Sequence, residues 1–282
     1  MTDNEATPNI ITDKSPKSEK IHFRTFIFYG IGALSNGWAV SAIGFFVLFY
    51  TTSIVGMEPS DYTVISIVTQ VINAVSDPII GVWSDRVKTR FGRRRPFILA
   101  SSVLMGLFYG LFFTKIEISN RFWLVVYYQV MFAGFYLAQT CFNVPHIALV
   151  MELTEQEQTR NKFVAFSAFF FSIGNLLGPV TLLAAEKNLF SDKAMAYAAM
   201  GGITAVVMAL CILTVFFGLK EREMPKRVRS IRQVLSEAIS VMKYKSYLYL
   251  TMAYISVQIA IQALQFNLRL YIEHVVKFET FR

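Results

Sequence analysis

The sequence predicts an all-α polytopic membrane protein, a bundle of six transmembrane helices followed by a seventh. Three observations carry that prediction. Only 16% of the 282 residues are charged and 54% are hydrophobic, whereas an ordinary soluble domain carries about 25% charged residues. The charges are clustered, leaving long apolar stretches between them. Those stretches reach the ~20 residues that a helix needs to cross hydrocarbon. Cys141 and Cys211 both fall inside such stretches, where a disulfide framework has no loop to staple, so no oxidised ectodomain is expected.

Residues 1–24 begin as a polar segment, with Asp3, Glu5, Asp13 and Glu19 beside lysines and no apolar h-region. They read as a disordered cytoplasmic leader rather than a signal peptide. Apolar stretches follow near 25–50, 62–83, 96–114, 122–150, 163–185 and 194–218, which together make a bundle over 25–218. Residues 219–246 are basic, and Val228, Ile231, Val234, Leu235, Ala238 and Ile239 recur at near-helical spacing among the arginines. That pattern predicts an amphipathic helix lying on the inner membrane surface. A seventh span near 247–268 opens the segment 247–282, which reads as the truncated start of a second half.

The basic residues set the orientation. The leader and the segments 84–95, 151–162 and 219–246 hold 20 Lys and Arg, against 4 in the alternate loops 51–61, 115–121 and 186–193. Basic loops stay on the cytoplasmic side, so the N-terminus is expected inside. The net charge of +8 is then a membrane-orientation signal, not a nucleic-acid surface. Arg93-Arg94-Arg95 is wedged between two spans, which argues against a nuclear signal.

A polar side chain facing lipid is costly, so intramembrane polar residues mark helices that line a cavity. Near mid-span the sequence places Asn36 in the first helix, Gln70 and Asn73 in the second, Gln139 in the fourth, Asn175 in the fifth and Gln258 in the seventh. The third and sixth offer only Ser, Thr and Gly there, and are expected on the outside. Single amides also glue helices together, at about 0.6 kcal/mol each, so each one alone has a structural reading. Gln70, Asn73 and Asp77 fall on one helix face. An ionised Asp at a helix centre costs about 2.5–3.5 kcal/mol on insertion scales, so Asp77 is expected to be paired, hydrated, protonated or neutralised by a cation. The competing reading is that Asp77 ties up backbone amides freed by Pro78. Gln139, Asn143 and His146 share a face of the fourth span, and Asn143 is expected at a depth where it meets Asp77. His146 has two readings, proton relay or hydrogen-bonded structural residue. Gly174 and Gly178 before Pro179 read as a hinge or as a close-packing seam.

The segment Gly81-Val-Trp-Ser-Asp85-Arg86, continuing into Arg90-Phe-Gly92-Arg93-Arg94-Arg95-Pro96, resembles the signature loop between helices 2 and 3 of the major facilitator superfamily. Within it, Gln70-x-x-Asn73-Ala-x-x-Asp77-Pro78 and Asn143-Val-Pro145-His146-Ile-Ala-Leu149-x-x-Glu152-Leu-Thr154 with Arg160 are similar to the glycoside-pentoside-hexuronide:cation symporters, the melibiose-permease-like group. The resemblance implies a secondary transporter of a small organic solute, a sugar, glycoside or lysolipid, working by alternating access. Together with the polar residues near mid-span, it makes Asp77, Asn73, Gln70, Asn143, Gln139, Asn36, Asn175 and Gln258 the candidate coupling or substrate residues. It makes Gly81, Asp85, Arg86, Gly92, Arg93 and Arg94 an inner-loop gate, with Gly81 permitting close helix approach and the arginines bound to neighbouring helices or lipid phosphates. The group's first helix-2 acid is Asn73 here and its arginine is Gln70. The loss of that carboxylate points to a carrier coupled to a proton, or uncoupled, rather than coupled to sodium, with no metal and no cofactor.

The implied partners are the lipid bilayer, a small-molecule solute and a second half of the carrier. A truncated, non-transporting scaffold or regulator of a full-length carrier is the alternative. A seven-helix receptor would place the N-terminus outside, and an enzyme is not expected, since paired acids, a nucleophile with its base, and a metal-spaced cluster are all missing from the sequence pattern.

Overall fold

The computed structural model describes residues 21–87, 89–186, 192–219, 233, 236 and 240–271. Seven helices there are long and apolar enough to cross a membrane. They are α1 (Phe23–Phe49), α2 (Pro59–Arg86), α3 (Arg95–Phe112), α4 (Arg121–Leu153), α5 (Glu157–Glu186), α6 (Lys193–Gly218) and α7 (Lys245–Tyr271). No strand occurs among the described residues. The leader to residue 20, the amphipathic positions Val228, Ile231, Val234, Leu235, Ala238 and Ile239, and the tail beyond Tyr271 lie outside the described residues.

The ends of the helices follow from local chemistry. α1 runs into a π-helical turn, Tyr50–Val55, and stops at Gly56, whose φ of 86° suits a residue without a Cβ. α2 starts with Pro59, which lacks the N–H that a first-turn residue would leave unpaired. Asn120 caps α4 by accepting from Phe122 N at 2.9 Å, and Asp192 caps α6 by accepting from Ala194 N at 3.0 Å. α4 extends past the apolar stretch to Leu153 and α5 begins at Glu157, because both polar ends have partners or solvent at the bundle's rim.

Packing is pairwise: α1 lies against α5 and α6, α3 against α4 and α6, and α2 against α4, while α7 touches α1. The core is aromatic. Tyr50, Phe112, Phe113, Tyr128 and Tyr197 form a cluster of rings with centroids 5.2–6.4 Å apart, at the end of the bundle where α1 stops. Rings offset in this way add about 0.5–1.5 kcal/mol per pair beyond their buried area.

The α1–α5 seam is a glycine seam. A Cβ on Gly174 would collide with the Leu34 carbonyl, one on Gly37 with the Phe171 carbonyl, and one on Gly178 with Ser41 Oγ. Pro179 carries no N–H, so it leaves the carbonyl of Asn175, four residues back, without its helical partner. Ser41 of α1 supplies one, its hydroxyl donating to Asn175 O at 2.7 Å. Trp38 Nε1 donates to Thr181 Oγ1 at 3.1 Å just beyond. Of the two readings of this stretch, the structure carries the packing one: the prolyl break is filled and held.

Candidate functional site

α4 is the hub of the polar network. Residues 139 and 140 point about 100° apart on a helix, so one reaches α1 and the other α2. Gln139, 7% exposed, donates through Nε2 to Asn36 Oδ1 at 2.7 Å. Thr140 places its hydroxyl 2.7 Å from Asn73 Oδ1 and 2.8 Å from Asp77 Oδ1. Three turns earlier on α4, Gln129 Nε2 donates to Thr69 Oγ1 of α2 at 2.9 Å. Asp77 Oδ1 therefore reaches across the helix interface to Thr140.

Asp77 meets Thr140, not Asn143. The α2–α4 crossing sets Asp77 level with residue 140, one turn before Asn143, which is half-buried. Gln70 and Asp77 lie on an exposed face of α2 with Asn73 half-buried beside them, so the face that the sequence singled out is open along the bundle's side. Asn36, Gln139, Asn73 and Asp77 are thus joined into two linked pairs through α4. Asn175 enters through its main chain, as the acceptor for Ser41. Gln258 is exposed and donates to Tyr254 OH, one turn back on its own helix, at 3.1 Å, so it is not joined to the network.

His146 is a packing residue. It is 3% exposed and stacked between Tyr29 at 4.1 Å and Phe142 at 4.8 Å. Its Nε2 lies 3.1 Å from the Tyr29 carbonyl, and a carbonyl only accepts, so Nε2 carries the proton. The hydrogen-bonded reading of His146 holds.

The arginine loop turns at Gly92, whose φ of 111° favours a residue without a Cβ, while Thr89 Oγ1 donates to Gly92 O at 2.8 Å. From that turn the arginines fan inward. Arg93 pairs with Glu152 at 2.7 Å, and Arg94 with Asp85 at 3.0 Å and Glu152 at 3.4 Å. Arg95 donates twice to the Phe216 carbonyl at the end of α6 and lies over the Phe216 ring at 4.8 Å. Of the two expected targets, neighbouring helices and lipid phosphates, Arg93 to Arg95 take the helices. Arg86, at the end of α2, is exposed. The expectation for Gly81 needs correcting: a Cβ there would meet Val144 at 3.6 Å, an ordinary contact, so no close helix approach depends on it. The opposite end of α2 is tied by Arg121, which spans Glu58 at 2.7 Å and Asp61 at 2.9 Å.

Thr140, Ser41, Gln129 and Thr69 were not singled out by sequence. Thr140 is adjacent to Gln139 and about one turn before Asn143, and that spacing was the available signal.

The architecture is that of an integral multi-pass membrane protein, a helical bundle with a polar seam that opens along its side. Residues 28–281 match the family described as MFS/sugar transport protein, and the chain belongs to it. It is 28% identical over 215 residues to an uncharacterized symporter of Synechocystis, covering 74% of this chain and 39% of that protein. It is 26% identical to the sodium-dependent lysophosphatidylcholine symporter 1-B of Danio rerio, covering 86% of this chain and 52% of that one. With the glucuronide carrier protein homolog of Escherichia coli it shares 27% identity, covering 57% of this chain and 36% of the relative. The chain spans about half the length, or less, of these relatives.

Proposed function

We propose that this chain forms one half of a secondary transporter that moves a small organic solute by alternating access, and that it carries out no enzymatic chemistry. The observation that carries this reading is the mid-span network joining α1, α2 and α4 through Asn36, Gln139, Thr140, Asn73 and Asp77. Carriers of this superfamily bind solute near the midplane, between halves that rock against each other. Apart from Asp77, the expected site residues are amides, which both donate and accept hydrogen bonds and so suit a hydroxyl-rich solute. The lysophosphatidylcholine symporter and the glucuronide carrier homolog among its relatives support a sugar, glycoside or lysolipid. The basic side chains of the described spans lie near helix ends, so an anionic headgroup would find its cation in the opposite half.

Asp77 acts as the coupling acid, with a proton as the coupling ion, since position 73 holds an amide. Gly81, Asp85, Arg86, Gly92, Arg93 and Arg94 form the inner gate, built around the ion pairs to Glu152. The N-terminus is cytoplasmic, as the basic-loop excess requires. The test is uptake of radiolabelled glycosides and lysolipids into proteoliposomes holding a full-length carrier with this sequence as its first half. Absence of uptake above empty liposomes for every solute would favour the scaffold reading. Accessibility of a tag in the 219–246 segment from outside intact cells would reverse the orientation.

A further inference from the structure

We infer that the arginine loop and the adjoining ends of α3 and α6 form a headgroup site for an anionic phospholipid, with Arg90 as the ligand of its phosphate. The inference stands apart from transport, since it needs only that the bundle lies in a bilayer. Arg93, Arg94 and Arg95 are engaged with Glu152, Asp85 and the Phe216 carbonyl. Arg90 is not. Its guanidinium lies over the Phe91 ring, 4.8 Å from the centroid, and among the described residues it makes no hydrogen bond or ion pair.

A ring beneath a guanidinium engages its face by cation–π attraction and leaves the in-plane N–H donors unspent. That edge is the fork that takes two phosphate oxygens at once. The ring is itself held, because Phe91 meets Phe216 edge to face at 5.8 Å and the Phe216 ring lies under Arg95 at 4.8 Å. Arg90, Phe91, Phe216 and Arg95 thus form a ladder from the loop to the end of α6, and Arg90 is its exposed outer rung. The local field is positive: Asp85 and Glu152 already face arginines, and Arg86 is exposed at the end of α2. α3 starts here with no acid in its first turn and no side-chain cap, so its dipole adds to the attraction for an anion.

The surroundings suit a lipid rather than a free anion. Trp83, one turn before Arg86, and Phe217, at the end of α6, are 58% and 72% exposed. Aromatic rings at helix ends sit in the headgroup region of a bilayer. Beyond them Val103, Leu107 and Leu111 on α3 and Leu210 on α6 are exposed as well, an apolar flank that leads away from the cations. Leu107 lies about 18 Å along the helix axis from Arg95, and one leaflet of hydrocarbon is about 15 Å deep. The flank is therefore as long as an acyl chain of the leaflet on the loop side, which a free phosphate would not use.

Native mass spectrometry of the chain released from detergent micelles, titrated with dioleoyl phosphatidylglycerol, counts bound lipid without reference to transport. The native chain should retain this lipid in preference to dioleoyl phosphatidylcholine, which carries the same phosphate but no net charge, and millimolar inorganic phosphate should not displace it. Arg90→Gln should weaken retention roughly fivefold, the weight of one cation at an anionic surface. Arg24→Gln, at an exposed arginine near the start of α1, should leave retention unchanged. Denaturant midpoints in lipid-free detergent should be the same for the native chain and both variants, which separates lost binding from lost folding. Equal retention in Arg90→Gln overturns the site, as does an equal loss in Arg24→Gln or equal retention of the two lipids. Displacement by inorganic phosphate makes it a free-anion site and overturns the lipid.

Discussion

Glu152 is the keystone of the arginine loop, and Glu152→Gln tests it. Its side chain is 3% exposed and faces Arg93 at 2.7 Å and Arg94 at 3.4 Å. At an effective dielectric constant of about 20, the closer pair alone attracts by ~6 kcal/mol gross. Desolvation of both groups removes most of that, and breaking a buried pair by deleting one partner typically costs about 3–5 kcal/mol. Here the low end applies, because Arg94 keeps Asp85 at 3.0 Å and Arg93 is 22% exposed and can turn to water. The expected loss is about 3 kcal/mol. The assay is denaturant unfolding in detergent, with Glu155→Gln, an exposed site, as the reference. In an Arg93→Gln background the cost of Glu152→Gln should fall by at least 1 kcal/mol or so, since coupled residues are not additive. A single-variant cost equal to that of Glu155→Gln, or strict additivity in the double variant, would refute the assignment.

Two glycines separate packing from permissiveness. Gly178→Val should destabilise the bundle by about 1–3 kcal/mol through overpacking, since its Cβ would meet Ala42 N at 2.7 Å and Trp38 O at 2.8 Å, whereas Gly81→Ala should be neutral or slightly stabilising. The same unfolding assay checks both. In the full-length carrier, Asp77→Asn should abolish concentrative uptake while exchange survives; vesicles under imposed sodium or pH gradients measure it, and strong sodium stimulation of the native protein at constant pH would count against proton coupling. Spin-label distances should shift with pH for the pair Val75 and Ile147, across α2 and α4, and stay fixed for Phe23 and Leu176, on α1 and α5.

The spans were legible because crossing a membrane is a matter of local composition, and all seven predicted stretches coincide with helices. What the sequence left open depends on how helices cross. Thr140 escaped notice because threonine hydroxyls usually satisfy a carbonyl of their own helix, as Thr51 does with Val47 and Thr52 with Leu48. Only the α2–α4 register shows that Thr140 turns to Asp77 instead. Gln258 was grouped with the others by depth along the chain, but depth is not direction, and its partner is Tyr254. Gly81 was assigned close packing from the motif around it, while Gly37, Gly174 and Gly178, which do pack against main chain, lie on the α1–α5 seam.

The contrast between the two seams explains why pH should move one pair of labels and spare the other. Along α1–α5 the contact is made by main chain against main chain, with no room for a single added carbon at Gly37, Gly174 or Gly178. Dispersion between close-packed atoms falls off within an ångström of separation. A small slide there loses contacts and gains none, and Asn175 O, deprived of the Ser41 hydroxyl, would be left without a substitute donor in the prolyl break. Along α2–α4 the mid-span contact is made by side chains, Thr140 with Asn73 and Asp77 and Gln129 with Thr69, and a Cβ on Gly81 would meet Val144 only at ordinary contact distance. Hydrogen-bonding groups of this kind exchange partners at little net cost, because each bond lost is replaced by another. On the coupling role proposed for Asp77, a proton arriving there has alternative partners on α2–α4 and none on α1–α5, so the α1–α5 labels should stay fixed while the α2–α4 labels move.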